Sequence, residues 1–131
     1  MGVRKAVIPV AGFATRFLPA CKSLPKCMLT ILDKPIIQYL VDEAVESGIE
    51  EILLVVGRKK EVVEDYFSED KELEEFLIER GKEQFIPQVT NLSGKAKIHF
   101  IEEEGGAKGL GHAIYMAKDF VGNEPFAIMY G

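Results

Sequence analysis

Four basic side chains crowd one short stretch near the front of this sequence. Arg16, Lys22, Lys26 and Lys34 are opposed there by Asp33 alone. The segment Ala11-Gly12-Phe13-Ala14-Thr15-Arg16 follows an apolar run, and Lys26 lies ten residues beyond Arg16. Backbone amides at the end of such a run can cradle phosphate oxygens. A guanidinium grips the same oxygens as a two-pronged donor, and an ammonium adds a compact point charge. The chemistry available is therefore the binding and neutralisation of a phosphorylated small molecule. Composition alone leaves a solvated basic loop as the competing reading. The stretch carries neither G-x-G-x-x-G nor G-K-[ST], so it is neither a dinucleotide fingerprint nor a P-loop.

Other reactive residues are fewer. Cys21 and Cys27 are too few and too close for a disulfide framework. Their spacing to His99 and His112 matches no zinc pattern, so free thiols in a reducing compartment are expected. His112 stands at a predicted helix start. A structural hydrogen-bonding role is the simpler reading there than acid–base work. Tyr115 and Met116 read as helix surface and core.

These residues need a scaffold, and the hydrophobic pattern supplies one. Lys5–Val10 (KAVIPV) is a short apolar run suited to a strand buried on both faces. Asp33 as N-cap, Pro35 in the first turn and Gly48 at the end bracket a predicted helix. Its apolar face is Ile36, Ile37, Leu40, Val41, Ala44 and Val45. Glu51–Gly57 is a second strand, completing a βαβ unit whose crossover should be right-handed. Short helices are expected over 61–67, with Val62, Val63, Tyr66 and Phe67 on one side, and over 71–80, with Leu73, Phe76 and Leu77 inward. Residues 84–94 read as loop and 97–102 as a third strand. A glycine-rich segment over 105–111 leads into a helix over 111–119, and 125–130 reads as a fourth strand. The alternation predicts an α/β fold: a Rossmann-like open, mostly parallel sheet with helices on both faces. Ligands of such sheets sit beyond the carboxyl ends of the strands, where the loops after the first and third strands both emerge.

Composition narrows the function classes. The chain has 131 residues, 47% hydrophobic and 28% charged, which suits one domain with a real core. A net charge of −5 argues against general nucleic-acid binding, and the acidic excess lies between Asp42 and Glu104. No apolar run reaches the roughly 20 residues of a membrane span. The first residues do not read as a cleavable signal, so a cytoplasmic location with no membrane partner is expected.

At AVIPVAGFATRFLPACKSLPKCML and DKPIIQYLVDEAVESGIEEILLVVGR the sequence resembles the opening of bacterial UTP–glucose-1-phosphate uridylyltransferases. AKGLGHAI and VGNEPFAIM are similar to later segments of that family, in the same order. The resemblance implies the nucleotide-binding N-terminal portion, over 1–131, of a nucleotidyltransferase that makes UDP-glucose and pyrophosphate from UTP and glucose 1-phosphate. It implies that the backbones of Ala11 and Gly12 face the uracil. The amides of Phe13, Ala14 and Thr15 and the side chain of Arg16 would hold the triphosphate, and Lys26 the α-phosphate. Gly109 would close the far side of the base, near Glu104. It also implies Mg²⁺ as cofactor.

Five departures from the family pattern qualify this. Ala14 replaces a glycine, placing a Cβ where the backbone approaches its ligand closely. Cys21 replaces a threonine and Cys27 a glutamate. Glu104 replaces a glutamine, and a carboxylate accepts hydrogen bonds but cannot donate them, which leaves base choice open to a thymidylyltransferase. The strand that leads into a metal-binding aspartate in the family ends here Ile128-Met129-Tyr130-Gly131, and the sugar-binding half does not follow. A chain that binds nucleotide without turnover and an interaction remnant therefore stand beside the active enzyme. An unfinished sheet would also favour self-association.

Overall fold

A computed structural model describes residues 2–11, 15–103 and 110–130. Its strands are β1 (Lys5–Pro9), β2 (Thr30–Ile31), β3 (Lys34–Pro35), β4 (Glu51–Val56), β5 (Lys97–Glu102) and β6 (Phe126–Ile128). Its helices are α1 (Ile36–Glu46), α2 (Lys60–Phe67), α3 (Lys71–Glu79), α4 (Leu110–Met116) and α5 (Lys118–Val121).

Apolar runs without polar alternation need cover on both faces, and this sheet has it. β5, β4, β1 and β6 lie side by side in that order, all parallel. Ala6 and Ile8 of β1 and Ile52, Leu54 and Val56 of β4 point to one face, where they meet Ile37, Val41 and Ala44 of α1 and Val63 of α2. Val7, Leu53 and Val55 point to the other, against Ala113 of α4, Val121 of α5 and Ala117 between them. Burying each of Ile8, Ile52 and Leu54 completely is worth about 1.5–3 kcal/mol. With β1 in the interior, its two neighbours are reached by crossovers on opposite faces, which is the doubly wound arrangement.

The end of α1 follows from one residue. Gly48 takes φ +89°, and the chain reverses with Ile49 N–H donating to Ala44 C=O at 3.0 Å and Gly48 N–H to Val45 C=O at 3.1 Å. This pair of bonds satisfies two of the last helical carbonyls and turns Ile49 into the core. At the start of α3, the Asp70 carboxylate accepts the Leu73 N–H at 3.0 Å as a side-chain cap.

Several local expectations are corrected. Asp33 does not cap α1: it lies in the two-residue turn of the β2–β3 hairpin, beside Leu32 at φ +62°. The helix begins after Pro35, whose extended backbone occupies the capping position. Phe76 is 48% exposed rather than inward, with the Arg80 guanidinium 4.9 Å from its ring centre. Residues 83–88, expected as loop, form a short 3₁₀ helix packed against α3. The single helix expected over 111–119 is two, α4 and α5, divided at Ala117. No described helix is long and apolar enough to cross a membrane.

Candidate functional site

Because the four strands are parallel, their carboxyl ends share one edge, and the long segment from Val10 to Pro35 leaves β1 there. Val10 N–H still reaches Val55 C=O at 2.8 Å, so the chain holds to β4 for one residue past the strand. Partly buried Ala11 then crosses Gly57 at the end of β4. A Cβ on Gly57 would stand 2.8 Å from the Ala11 carbonyl oxygen, so only glycine allows this approach.

Beyond Ala11 the chain runs through three short 3₁₀ turns, Thr15–Phe17, Ala20–Lys22 and Lys26–Met28. Prolines 19 and 25 keep it from settling into a longer helix. Arg16 lies exposed in the first turn. Lys26 opens the third, and its ammonium lies 5.4 Å from the ring centre of Phe17, next to Arg16 in the chain. The structure thus brings the turn bearing Arg16 and the residue Lys26 together. Cys27 anchors this end of the segment: it is 4% exposed, packed into the core beneath α1, and burial pushes its thiol up to about 11. That thiol stays protonated and acts as a small apolar plug. Alternation around the turn then leaves its neighbour Lys26 only partly buried. Cys21 is buried too, and neither cysteine is in a disulfide.

Of the site residues expected from sequence, Ala11, Thr15, Arg16 and Lys26 fall along this edge. Gly12, Phe13, Ala14, Glu104 and Gly109 lie outside the described residues. His112 is partly buried on α4, its ring stacked toward exposed Tyr115 with centroids 6.5 Å apart. His99 is turned to the opposite edge of the sheet, 3.0 Å from Glu51.

Electrostatics distinguish the carboxyl edge. Among the described residues, Arg16, Lys22, Lys26 and Arg58 have no carboxylate within ion-pair distance. Glu102 at the end of β5 is taken up by Lys60 at 3.6 Å, and Glu103 beside it is buried. Guanidinium and ammonium groups such as those four can meet the oxygens of an anion. No three His, Cys, Asp or Glu side chains among the described residues converge as metal ligands.

Two features escaped sequence reasoning. The Gly57-Arg58 pair after β4 shapes the segment, and a glycine closing a β-branched run before an arginine is its only signal. The other is Gln38, 5% exposed on the core face of α1. Its amide donates to Asp42 and to Leu92 C=O, each at 2.8 Å, and accepts from the Tyr66 hydroxyl at 2.6 Å. Burial, with Asp42 nearby, holds the Tyr66 hydroxyl above its ordinary value. Periodicity marks a helix face as apolar and cannot foresee a satisfied amide within it.

Comparison with known proteins agrees with this geometry. The family model described as nucleotidyl transferase matches residues 5–131. The UTP–glucose-1-phosphate uridylyltransferase of Bacillus subtilis (strain 168) is 52% identical over 129 residues, covering 98% of this chain and 44% of that protein. A solved UDP-glucose pyrophosphorylase from Acinetobacter baumannii superposes with a TM-score of 0.92 at 42% identity, over 98% of this chain and 45% of that one. The UTP-bound form of the enzyme from that organism gives 0.91 at the same identity and coverage. The chain spans slightly less than half the length of these relatives. A central βαβ core with a glycine-seated, cation-bearing loop at its carboxyl edge, matched along nearly all its length, places this chain in the nucleotidyl transferase family.

Proposed function

We propose that this chain is the nucleotide-binding portion of a UTP–glucose-1-phosphate uridylyltransferase, with UTP lying across the carboxyl edge, its uracil toward Ala11 and Gly12 and its triphosphate toward Phe13–Arg16 and Lys26. The observation that carries this reading is the set of cations at that edge without carboxylate partners among the described residues. Cations without carboxylate partners among the described residues, next to a segment whose sequence suits a phosphate cradle, fit an anionic ligand. The relative whose solved structure is UTP-bound supports the choice of nucleotide.

In the reaction, a phosphate oxygen of glucose 1-phosphate attacks the α-phosphorus of UTP. One P–O bond forms there as the bond to the departing pyrophosphate breaks. The attacking group is already an anion, so no general base is required. Catalysis is then in-line positioning with neutralisation of charge building on the α- and β-phosphates. Arg16 would hold the triphosphate by its fork, and Lys26 would meet the α-phosphate. The amides of Phe13, Ala14 and Thr15 would complete the cradle, with Ala11, Gly12, Glu104 and Gly109 beside the base. The family's Mg²⁺ finds no ligand cluster among the described residues, and no step here is routed through it. Because the chain spans under half of its relatives, nucleotide binding and turnover are separate expectations. The protein is expected in the cytoplasm.

Calorimetric titration of UTP into the wild-type chain and an Arg16→Ala variant tests the reading. Wild-type binding that weakens about 10–100-fold in the variant is expected for a lost charge-assisted bond. Absence of heat at millimolar UTP would sink it. Competition by dTTP decides whether the base is uracil-selective. Self-association is expected through β6, whose outer edge has no strand partner among the described residues. A single monomeric species in sedimentation at working concentration would rule that out.

A further inference from the structure

The segment carrying Arg16 and Lys26 is tied to the sheet at points the anion site itself does not explain. At one end Ala11 passes Gly57 closely enough that a Cβ there would meet the Ala11 carbonyl oxygen at 2.8 Å. At the other, Cys27 is sunk in the core and Leu29 C=O accepts the Ile36 N–H at 2.9 Å. Between these anchors Leu18 is 59% and Leu24 38% exposed, and Cys21 is the one buried residue of 16–26. One side chain reaches across to it. Arg58, the residue directly after Gly57, donates from Nη2 to the Lys22 carbonyl oxygen at 2.9 Å.

The contacts form a closed circuit. Gly57 seats Ala11, the chain continues to the turn of Arg16 and Phe17, and Phe17 carries the Lys26 ammonium on its ring. From Lys26 the chain leads back four residues to Lys22, whose carbonyl returns to Arg58. Two adjacent residues at the end of β4 therefore hold both halves of the basic segment. A guanidinium suits this role because its plane is rigid and it presents five donors.

We propose that Arg58 is a positioning residue of the anion site: its bond to the Lys22 carbonyl holds the 18–26 strap in the place where Lys26 stands over the turn of Arg16. The effect on nucleotide rests on the uridylyltransferase reading above, whereas the strap's tether to β4 does not. Arg58 acts through Lys26, so its loss matters only while Lys26 is present.

Two measurements on the full chain test this. Amide hydrogen exchange without nucleotide should show faster exchange at Lys22 and Met28 in Arg58→Ala, by about three- to tenfold for one lost hydrogen bond, with β4 and α1 unchanged. UTP titration should show Arg58→Ala weakening binding by about the same factor, with Arg58→Lys recovering part of the loss. On a Lys26→Ala background, Arg58→Ala should cost less than about twofold, the non-additivity of coupled residues. Unchanged exchange in the strap overturns the proposal. So does an equal loss of affinity with and without Lys26, which would make Arg58 an independent contact. A wild-type chain that takes up no UTP defeats the nucleotide reading, and the exchange result still decides whether Arg58 holds the strap. Should Arg58→Ala fail to fold, Arg58→Lys, which loses the fork and keeps the charge, serves in both measurements.

Discussion

The two edges of this one sheet treat charge in opposite ways. At the amino edge Arg4 donates from Nε and Nη2 to both oxygens of Glu124, at 3.0 and 2.9 Å, and from Nη1 to Glu51 at 2.6 Å. Lys5 lies 2.9 Å from Glu124 and donates to Phe120 C=O at 2.5 Å, while His99 meets the second oxygen of Glu51. This lattice joins the start of β1 to β4, to β5 and to the turn before β6. At the carboxyl edge, Arg16, Lys22, Lys26 and Arg58 have no such partners among the described residues. Charge at the amino edge serves assembly of the sheet. At the carboxyl edge Lys60 and Glu102 pair at 3.6 Å, while these four cations stand where parallel sheets offer their ligand crevice.

If the division is right, disturbing one edge should spare the other. The largest effect is expected for Lys26→Glu, which sets a carboxylate against the triphosphate. UTP affinity in calorimetry should fall by about 100-fold or more, while the thermal midpoint stays within a degree or two of wild type, as surface changes usually do. Gly57→Ala should cross the division, because its Cβ presses on the Ala11 backbone that seats the loop. A loss of about 1–3 kcal/mol in chemical denaturation is expected for such overpacking, together with weaker UTP binding. Retention of both properties would mean that the loop and the end of β4 separate easily.

The amino edge is expected to govern acid stability. The Arg4 bonds, with Lys5 beside them, hold the Glu124 carboxyl down at about 2, and Arg4 and then His99 hold Glu51 below its usual 4.5. Because both values are depressed, their contribution is complete above the ordinary carboxylate range and is lost as pH falls from 4.5 toward 2. Glu124→Gln should lower the thermal midpoint at neutral pH, flatten that acid limb and leave UTP binding unchanged. These groups are solvent-exposed, so the shift in midpoint is expected to be small. The smallest effect belongs to Phe76→Ser on α3, away from both edges. Nearly half exposed, Phe76 should change stability by no more than about 0.5 kcal/mol.

Much of the scaffold was legible beforehand because it rests on local periodicity. The runs at Lys5–Val10 and Glu51–Gly57 are apolar without alternation, and such runs can only be covered on both faces. Gly48 marked the end of α1 because a left-handed residue there closes the helix whatever the tertiary context. The start of α1 was misplaced for the complementary reason. Asp33 before Pro35 has the chemistry of a cap, but Thr30–Ile31 found a pairing partner in Lys34–Pro35 and drew Asp33 into a hairpin turn. Spacing puts Phe76 on the inward face, yet spacing does not tell that α3 packs chiefly against the short helix of residues 83–88.

For the candidate site, the sequence by itself dictated which chemistry is possible. Arg16 and Lys26 beside an amide-rich loop, and the resemblance carried by AGFATR and LPK, point to a nucleotide phosphate without any coordinates. What only the tertiary structure decided is how those charges are held and which others lack partners. Gly57 and Ala11 are far apart in sequence and touch because β1 and β4 are neighbours. Arg58 reaches Lys22 for the same reason. Pairing of charges depends on distances across strands, and those distances exist only once the strand order is set. Chemistry can be read from residue type; counter-charge cannot, because it belongs to the fold.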